Sequence, residues 1–255
     1  MPALIFDCDG VLADTERFGH LPAFNQTFRE FGLPVQWSEE EYGVKLGIAG
    51  GKERMASMLT PDFVQEASLT TDPAAQKELI GIWHKRKTEL YKRMTLEGKL
   101  PGRPGVARIV GEALQADWKL AVASTSAEES VRAVLEYVVG RKHAAHFEVL
   151  AGEIVPRKKP APDIYLLALD RLKAPANETL VVEDSRNGLL AAVAAGVRCL
   201  VTLSSYTWKE DMSEAMLVVS DLGEHGAPME VLANRSKARP GECITLKDLE
   251  ACLAS

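Results

Sequence analysis

The sequence of 255 residues contains no apolar run long enough to span a bilayer, so no membrane partner is expected. It also contains no internal repeat and no low-complexity segment, which sets aside repeat and array architectures. Cysteine is scarce. Cys8, Cys199, Cys243 and Cys252 are all there are, and none pair at metal-ligand spacing. That excludes a cysteine-ligated zinc module and reads as free thiols in a reducing compartment. Positive charge is in short supply too, with a net charge of −6. Phosphate backbones select basic faces, so no nucleic-acid partner is expected either. A few local Lys and Arg can still hold a small phosphorylated molecule. No signal peptide is read at Met1, and a transit peptide removed earlier is compatible with the sequence. A monomer is the default expectation.

What the sequence does have is a rhythm of short apolar runs followed by amphipathic stretches. The runs fall at residues 3–6, 120–123, 147–150, 180–182 and 199–201, with a sixth at 216–219. Helical patterns lie at 127–137, 162–172 and 188–195. Strands alternating with helices predict an α/β fold with a parallel sheet covered on both faces. The interval between the first two runs breaks the rhythm and reads as helices. Ser38 and Glu41 fit a capping box, and residues 71–94 carry apolar positions at three- and four-residue spacing. The chain is therefore expected to form a core domain from 1–15 and 98–255, with a helical domain at 16–97 inserted after strand one. Linkers are expected near 12–15 and 100–105. Thr245 reads as the cap of a closing helix over 245–253. The tail from 206 to 245 suggests no role.

The strongest chemical signal is Asp7-Cys8-Asp9-Gly10-Val11, directly after the first apolar run. Carboxylates at the carboxyl end of a parallel strand point into the crevice where α/β proteins bind ligands. Two clustered carboxylates call for a cation, and their oxygens suit Mg²⁺. A lone pair of this kind is also compatible with an acidic turn. Glu183-Asp184 follows the fourth run, with Asp184 the better direct ligand and Glu183 able to act through water; alone, the pair would more often cap a helix. Lys159, stiffened by Pro160 and Pro162, can neutralise a nucleophilic carboxylate and an incoming phosphate, or simply be a solvated lysine. Ser124-Thr125-Ser126 follows the second run, and Ser126 with Glu129 matches a capping box at an anion-binding helix start.

In this order, each after its own strand, the four motifs resemble the haloacid dehalogenase superfamily over the whole chain. The resemblance implies a Rossmann-like core with a helical C1 cap. It implies that Asp7 attacks phosphorus, that Asp9 serves as general acid and base, and that Ser124 and Lys159 hold the phosphoryl oxygens. It implies Mg²⁺ on Asp7, the Asp9 carbonyl and Asp184, with Glu183 nearby.

In the insert, Gly50-Gly51-Lys52-Glu53-Arg54 reads as a loop that could clasp a second anion or as a solvated helix start. Glu16 and His20 stand one turn apart, facing one cleft, with His20 equally compatible with a boundary histidine. These segments, with Asp14-Thr15 and the motifs above, are similar to CbbY-type phosphatases, most of all the plant and algal ones. That similarity implies xylulose 1,5-bisphosphate, an inhibitory by-product of Rubisco, as substrate. It implies Glu16, His20, Gly50, Gly51, Lys52, Glu53, Arg54, Ser124, Thr125, Ser126, Ala127 and Lys159 around it. It also implies the chloroplast stroma for a plant or algal protein, and the cytoplasm otherwise. A β-phosphoglucomutase shares the core and differs in the cap; a catalytically silent binding protein on this fold usually lacks one of the catalytic groups, all present here.

Overall fold

The computed structural model describes residues 1–48 and 50–255; Ala49, in the glycine-containing loop of the insert, lies outside them. The chain divides into two compact units, Met1–Thr15 with Leu100–Ser255, and Glu16–Lys99.

The first unit opens with β1 (Ala3–Phe6), after which the chain leaves for the second unit. That unit starts with a π-helical turn, Glu16–His20. It continues with α1 (Leu21–Glu30), α2 (Glu39–Lys45), α3 (Gly51–Ala56), α4 (Pro61–Glu66) and the long α5 (Pro73–Leu96). The Ser38 hydroxyl accepts from the Glu41 amide while the Glu41 carboxylate accepts from the Ser38 amide, the reciprocal cap expected at α2. The core of this unit is aromatic. Trp37 packs edge-on to Phe28 at 4.8 Å and tilts against Phe24 at 5.1 Å. A two-way pair of 2.8 Å bonds between the Asn25 amide and the Trp37 backbone pins that loop to α1.

The remainder of the first unit runs α6 (Val106–Gln115), β2 (Lys119–Ser124), α7 (Glu128–Ala144), β3 (Phe147–Ala151), α8 (Asp163–Leu172) and β4 (Thr179–Glu183). It ends with α9 (Arg186–Ala194), β5 (Arg198–Thr202), β6 (Leu217–Val219), β7 (Val231–Asn234) and α10 (Leu246–Leu253). The sheet order is β3-β2-β1-β4-β5-β6-β7, parallel except for β7. The antiparallel β7 was not readable in the sequence: its four residues are exposed or half-buried, with no alternation to mark a strand. Thr245 caps α10 as expected, and the Asp248 carboxylate accepts from its amide and hydroxyl. No helix among the described residues is long and apolar enough to cross a membrane.

Strand order places the switch point at β1, which has β2 on one side and β4 on the other. Side chains alternate across the sheet. Ile5, Ala121 and Val181 lie in register and face α8 and α9, packing with Ile164, Tyr165, Leu189 and Ala192. By the same alternation Glu183 follows Val181 onto the α8 and α9 face, at the carboxyl end of β4.

Candidate active site

Asp7 is the first residue past β1, and its amide still donates to the Val182 carbonyl at 2.9 Å, so the sheet itself fixes its position. Its carboxylate is buried and accepts from Lys159 Nζ at 2.5 Å. Lys159 comes from the β3–α8 connection. Its ammonium also donates to the Glu183 carboxylate at 2.6 Å and to the Ala123 carbonyl at 3.0 Å, which uses all three of its N–H bonds. Burial alone would lower the Lys159 pKa, but the Asp7 and Glu183 carboxylates outweigh it and hold the amine charged.

Asp7, Glu183 and Asp184 bring carboxylate oxygens within 4.8 Å of one another. Burial pushes the Asp7 carboxyl up to about 7, helped by Glu183 and Asp9 and opposed by Lys159. Asp184 is held well above the usual carboxylate range by burial and then by Glu183 and Asp7. Buried acids with too little positive charge around them are what a hard cation relieves. The backbone makes room for this arrangement. Gly10 has φ +80°, and a Cβ there would lie 2.0 Å from Asp184 Oδ2, so only glycine lets this carboxylate reach the cluster. The donor set of Asp7, Glu183 and Asp184 is all oxygen, which fits a hard divalent ion such as Mg²⁺.

The two oxygens of Glu183 are taken differently. One accepts from Lys159 and from the Tyr165 hydroxyl; the other accepts from the Asp184 amide at 3.1 Å and lies 3.4 Å from the Ser185 hydroxyl. Of the motif residues before α9, neither carboxylate is the cap: Ser185 is, accepting from the Gly188 amide at 3.2 Å.

Asp9 belongs to the same edge, yet its side chain has other partners. One oxygen accepts from Thr15 Oγ1 and the other from Ser126 Oγ, both at 2.5 Å. This corrects the capping box expected at Ser126 and Glu129. The N-cap of α7 is Ala127, with no side-chain cap, because the Ser126 hydroxyl is committed to Asp9. Ser124 is buried at the end of β2 and accepts from the Ser126 amide at 3.1 Å, while Thr125 and Ala127 are exposed beside it.

In the helical unit, Glu16 and Arg54 come together. The Tyr42 hydroxyl donates to Glu16 at 2.5 Å, and Arg54 lies 3.1 Å from that hydroxyl and 3.5 Å from the Glu16 carboxylate. Arg54 also donates to the Ile48 carbonyl at 3.0 Å. His20 does not join them. Its ring stacks on Tyr91 at 4.0 Å, and its Nδ1 lies 2.6 Å from Lys87 Nζ. Burial, then Lys87, lowers its pKa well below the ordinary value, so the neutral ring accepts from the ammonium. The sequence placed Glu16 and His20 on one helical face, but the wider π-helical turn separates their partners. Gly50 takes φ +98°, Gly51 packs closely against His84, and Lys52 and Glu53 are exposed.

Sequence reasoning missed Thr15, Tyr42 and Tyr165. All three are buried polar groups, whose hydroxyls must find partners; nothing in one sequence says which.

The family described as haloacid dehalogenase-like hydrolase matches residues 1–196. A CBBY-like protein of Arabidopsis thaliana is 46% identical over 222 residues, covering 87% of this chain and 69% of its own. Protein CbbY of Cupriavidus necator is 40% identical over 233 residues, covering 90% and 89%. The crystal structure of CbbY from Rhodobacter sphaeroides in complex with phosphate aligns with a TM-score of 0.73 at 38% identity, covering 87% of this chain and 95% of that one. A variant of the same protein in complex with xylulose 1,5-bisphosphate aligns with a TM-score of 0.72 at the same identity and coverage. With the family match covering residues of both units and relatives 40–46% identical along most of its length, this chain belongs to the haloacid dehalogenase-like hydrolases.

Proposed function

We propose that this chain is a Mg²⁺-dependent sugar-phosphate phosphatase that works through an aspartyl phosphate on Asp7, with xylulose 1,5-bisphosphate as its substrate. The observation that carries the reading is the buried Asp7 carboxylate held 2.5 Å from Lys159 beside Asp184 and Glu183. Asp7 Oδ attacks phosphorus as the bond from phosphorus to the sugar oxygen breaks. Asp9 gives its proton to the departing alcohol and then takes one from the water that attacks the phosphoenzyme, releasing phosphate and restoring Asp7. Thr15 and Ser126 orient Asp9 for both steps. Ser124 holds one transferring oxygen, and Lys159 turns one N–H from its present acceptors to another. Asp7, Asp184 and the Asp9 carbonyl would hold Mg²⁺, with Glu183 acting through water. The bound ion supplies the positive charge that shields the nucleophile from the phosphate.

The helical unit, read as a cap over 16–97, would supply the selecting residues Glu16, Gly50, Gly51, Lys52, Glu53 and Arg54, while His20 stays with Tyr91 and Lys87. A bisphosphate gives the Arg54 and Lys52 region a second phosphate to recognise. The CbbY variant in complex with xylulose 1,5-bisphosphate supports this substrate. The Arabidopsis relative supports a plant source, for which the reading is a role beside Rubisco in the chloroplast stroma. Phosphate release with Mg²⁺ from a panel of sugar monophosphates and bisphosphates tests the reading. Strong preference for xylulose 1,5-bisphosphate supports it, and equal turnover of monophosphates removes the second anion site. A putative β-phosphoglucomutase of Thermotoga maritima, 27% identical with a TM-score of 0.66 and covering 86% of this chain and 94% of that one, motivates the other reading. Isomerised sugar phosphate without released phosphate would select it.

A further inference from the structure

Lys159 can serve Asp7 only if its ammonium stays between two acids. Its stem is flexible, with four carbons and a strongly hydrated head, so something must fix the far acceptor. That acceptor is Glu183, fully buried at the end of β4. Two features hold Glu183 still. Helix α9 approaches so closely that a Cβ on Gly188 would sit 1.9 Å from the Glu183 carboxyl carbon. From the other side, the Tyr165 hydroxyl of α8 donates to the same oxygen that accepts from Lys159.

Tyr165 is itself fully buried, and its ring centroid lies 5.0 Å from Lys159 Nζ. The segment that supplies the lysine therefore also supplies, in the first turn of α8, the group that holds the lysine's partner. Among the described residues, the hydrogen bond that the tyrosine hydroxyl donates goes to Glu183 and not to Asp7 or Asp184.

We propose that Tyr165 is a positioning residue: by fixing Glu183 Oε1 it sets where the Lys159 ammonium stands against Asp7. With the hydroxyl gone, Glu183 Oε1 loses its neutral donor and is left to Lys159. The ammonium is then drawn from Asp7 toward Glu183. Charge on the transferring phosphoryl group shifts as its bond to the sugar breaks, and an ammonium displaced at that moment lowers kcat. Binding of the intact substrate draws on many other contacts, so KM changes little.

The inference rests on the phosphatase reading, and the test separates the two. Turnover of p-nitrophenyl phosphate and of the best sugar phosphate is measured for the full chain with Mg²⁺, as the unsubstituted protein, Tyr165→Phe, Glu183→Gln and the double variant. The phenylalanine keeps the ring under Lys159 and removes one oxygen. The expected result for Tyr165→Phe is a kcat about tenfold lower on both substrates, with KM within about twofold, the scale of one charge-assisted hydrogen bond. In the Glu183→Gln background the same change costs less than about twofold, because the two residues act along one path. Unchanged kcat with a lowered melting temperature overturns the proposal and leaves Tyr165 as packing. Full additivity with Glu183→Gln overturns it too, since Tyr165 then acts by another route. If Tyr165→Phe does not fold, Tyr165→Met takes its place under the same criteria: a kcat loss at constant KM that shrinks in the Glu183→Gln background supports the shared path, and an unchanged kcat ends it. An unsubstituted protein that releases no phosphate from any ester instead ends the phosphatase reading.

Discussion

In the core unit one ammonium, Lys159, is shared between two buried carboxylates, and Asp184 adds a third acid to the same cluster. In the helical unit the corresponding polar group is balanced: Arg54 faces one carboxylate, Glu16, with the Tyr42 hydroxyl between them. The core cluster is short of positive charge, and the carboxyl pKa values of Asp7 and Asp184 rise in consequence. The helical cluster needs no added ion to be satisfied. An unbalanced buried cluster of acids calls for a cation, and a balanced one can only exchange partners.

The sharpest way to break this contrast is to remove the shared cation. Lys159→Met leaves Asp7 and Glu183 buried without their common donor, and should cost about 3–5 kcal/mol in metal-free denaturant unfolding. A cost near zero would mean the acids are not held by the lysine. Next in size is Gly188→Ala, whose new Cβ meets the Glu183 carboxyl group. Overpacking there should cost about 1–3 kcal/mol and lower kcat. Its counterpart in the helical unit, Gly81→Ala in the middle of α5, has nothing within 4 Å and should stabilise by about 0.5–1 kcal/mol.

Breaking the balanced cluster should act on selection instead of on chemistry. Arg54→Ala is expected to raise KM for xylulose 1,5-bisphosphate about tenfold while leaving p-nitrophenyl phosphate within about twofold, as uniform binding predicts. Equal effects on the two substrates would make Arg54 structural.

The pH dependence sharpens the core side. The folded-state pKa of Asp7 lies near 7, above its ordinary value of 3.8, and Asp184 shifts the same way. Between these values the folded protein binds more protons than the unfolded chain. Metal-free stability contributed by this site is therefore present at low pH and lost as pH rises through about 7. Mg²⁺ competes with those protons, so the melting-temperature gain on adding it should be larger at about pH 8 than at about pH 5. A gain that does not change with pH would contradict the cluster as the binding site.

Much of the core was legible because its chemistry is tied to strand ends. Asp7, Lys159 and Asp184 each sit beside an apolar run or a proline-stiffened turn, and those marks survive in one dimension. Ser126 shows the limit. Its spacing to Glu129 matched a cap, but a hydroxyl can serve only one such purpose, and the competing acceptor Asp9 stands 117 positions away in the chain. Tyr165 was illegible for the same reason, since its spacing fits any buried face of α8. In the helical unit a period of 3.6 placed Glu16 and His20 together, and a π-helical turn put them against Tyr42 and Lys87 instead. The strand β7 escaped because its exposed side chains leave no apolar pattern.

The most direct test is to catch the phosphoryl group on the enzyme. The protein is mixed with Mg²⁺ and xylulose 1,5-bisphosphate, quenched in acid during turnover and reduced with borohydride, which converts an aspartyl phosphate to homoserine. Peptide mass spectrometry then locates the change. The account predicts homoserine at Asp7 alone, absent without Mg²⁺ or substrate. Phosphate release with no modification at Asp7, or with the modification at another acid, would contradict it.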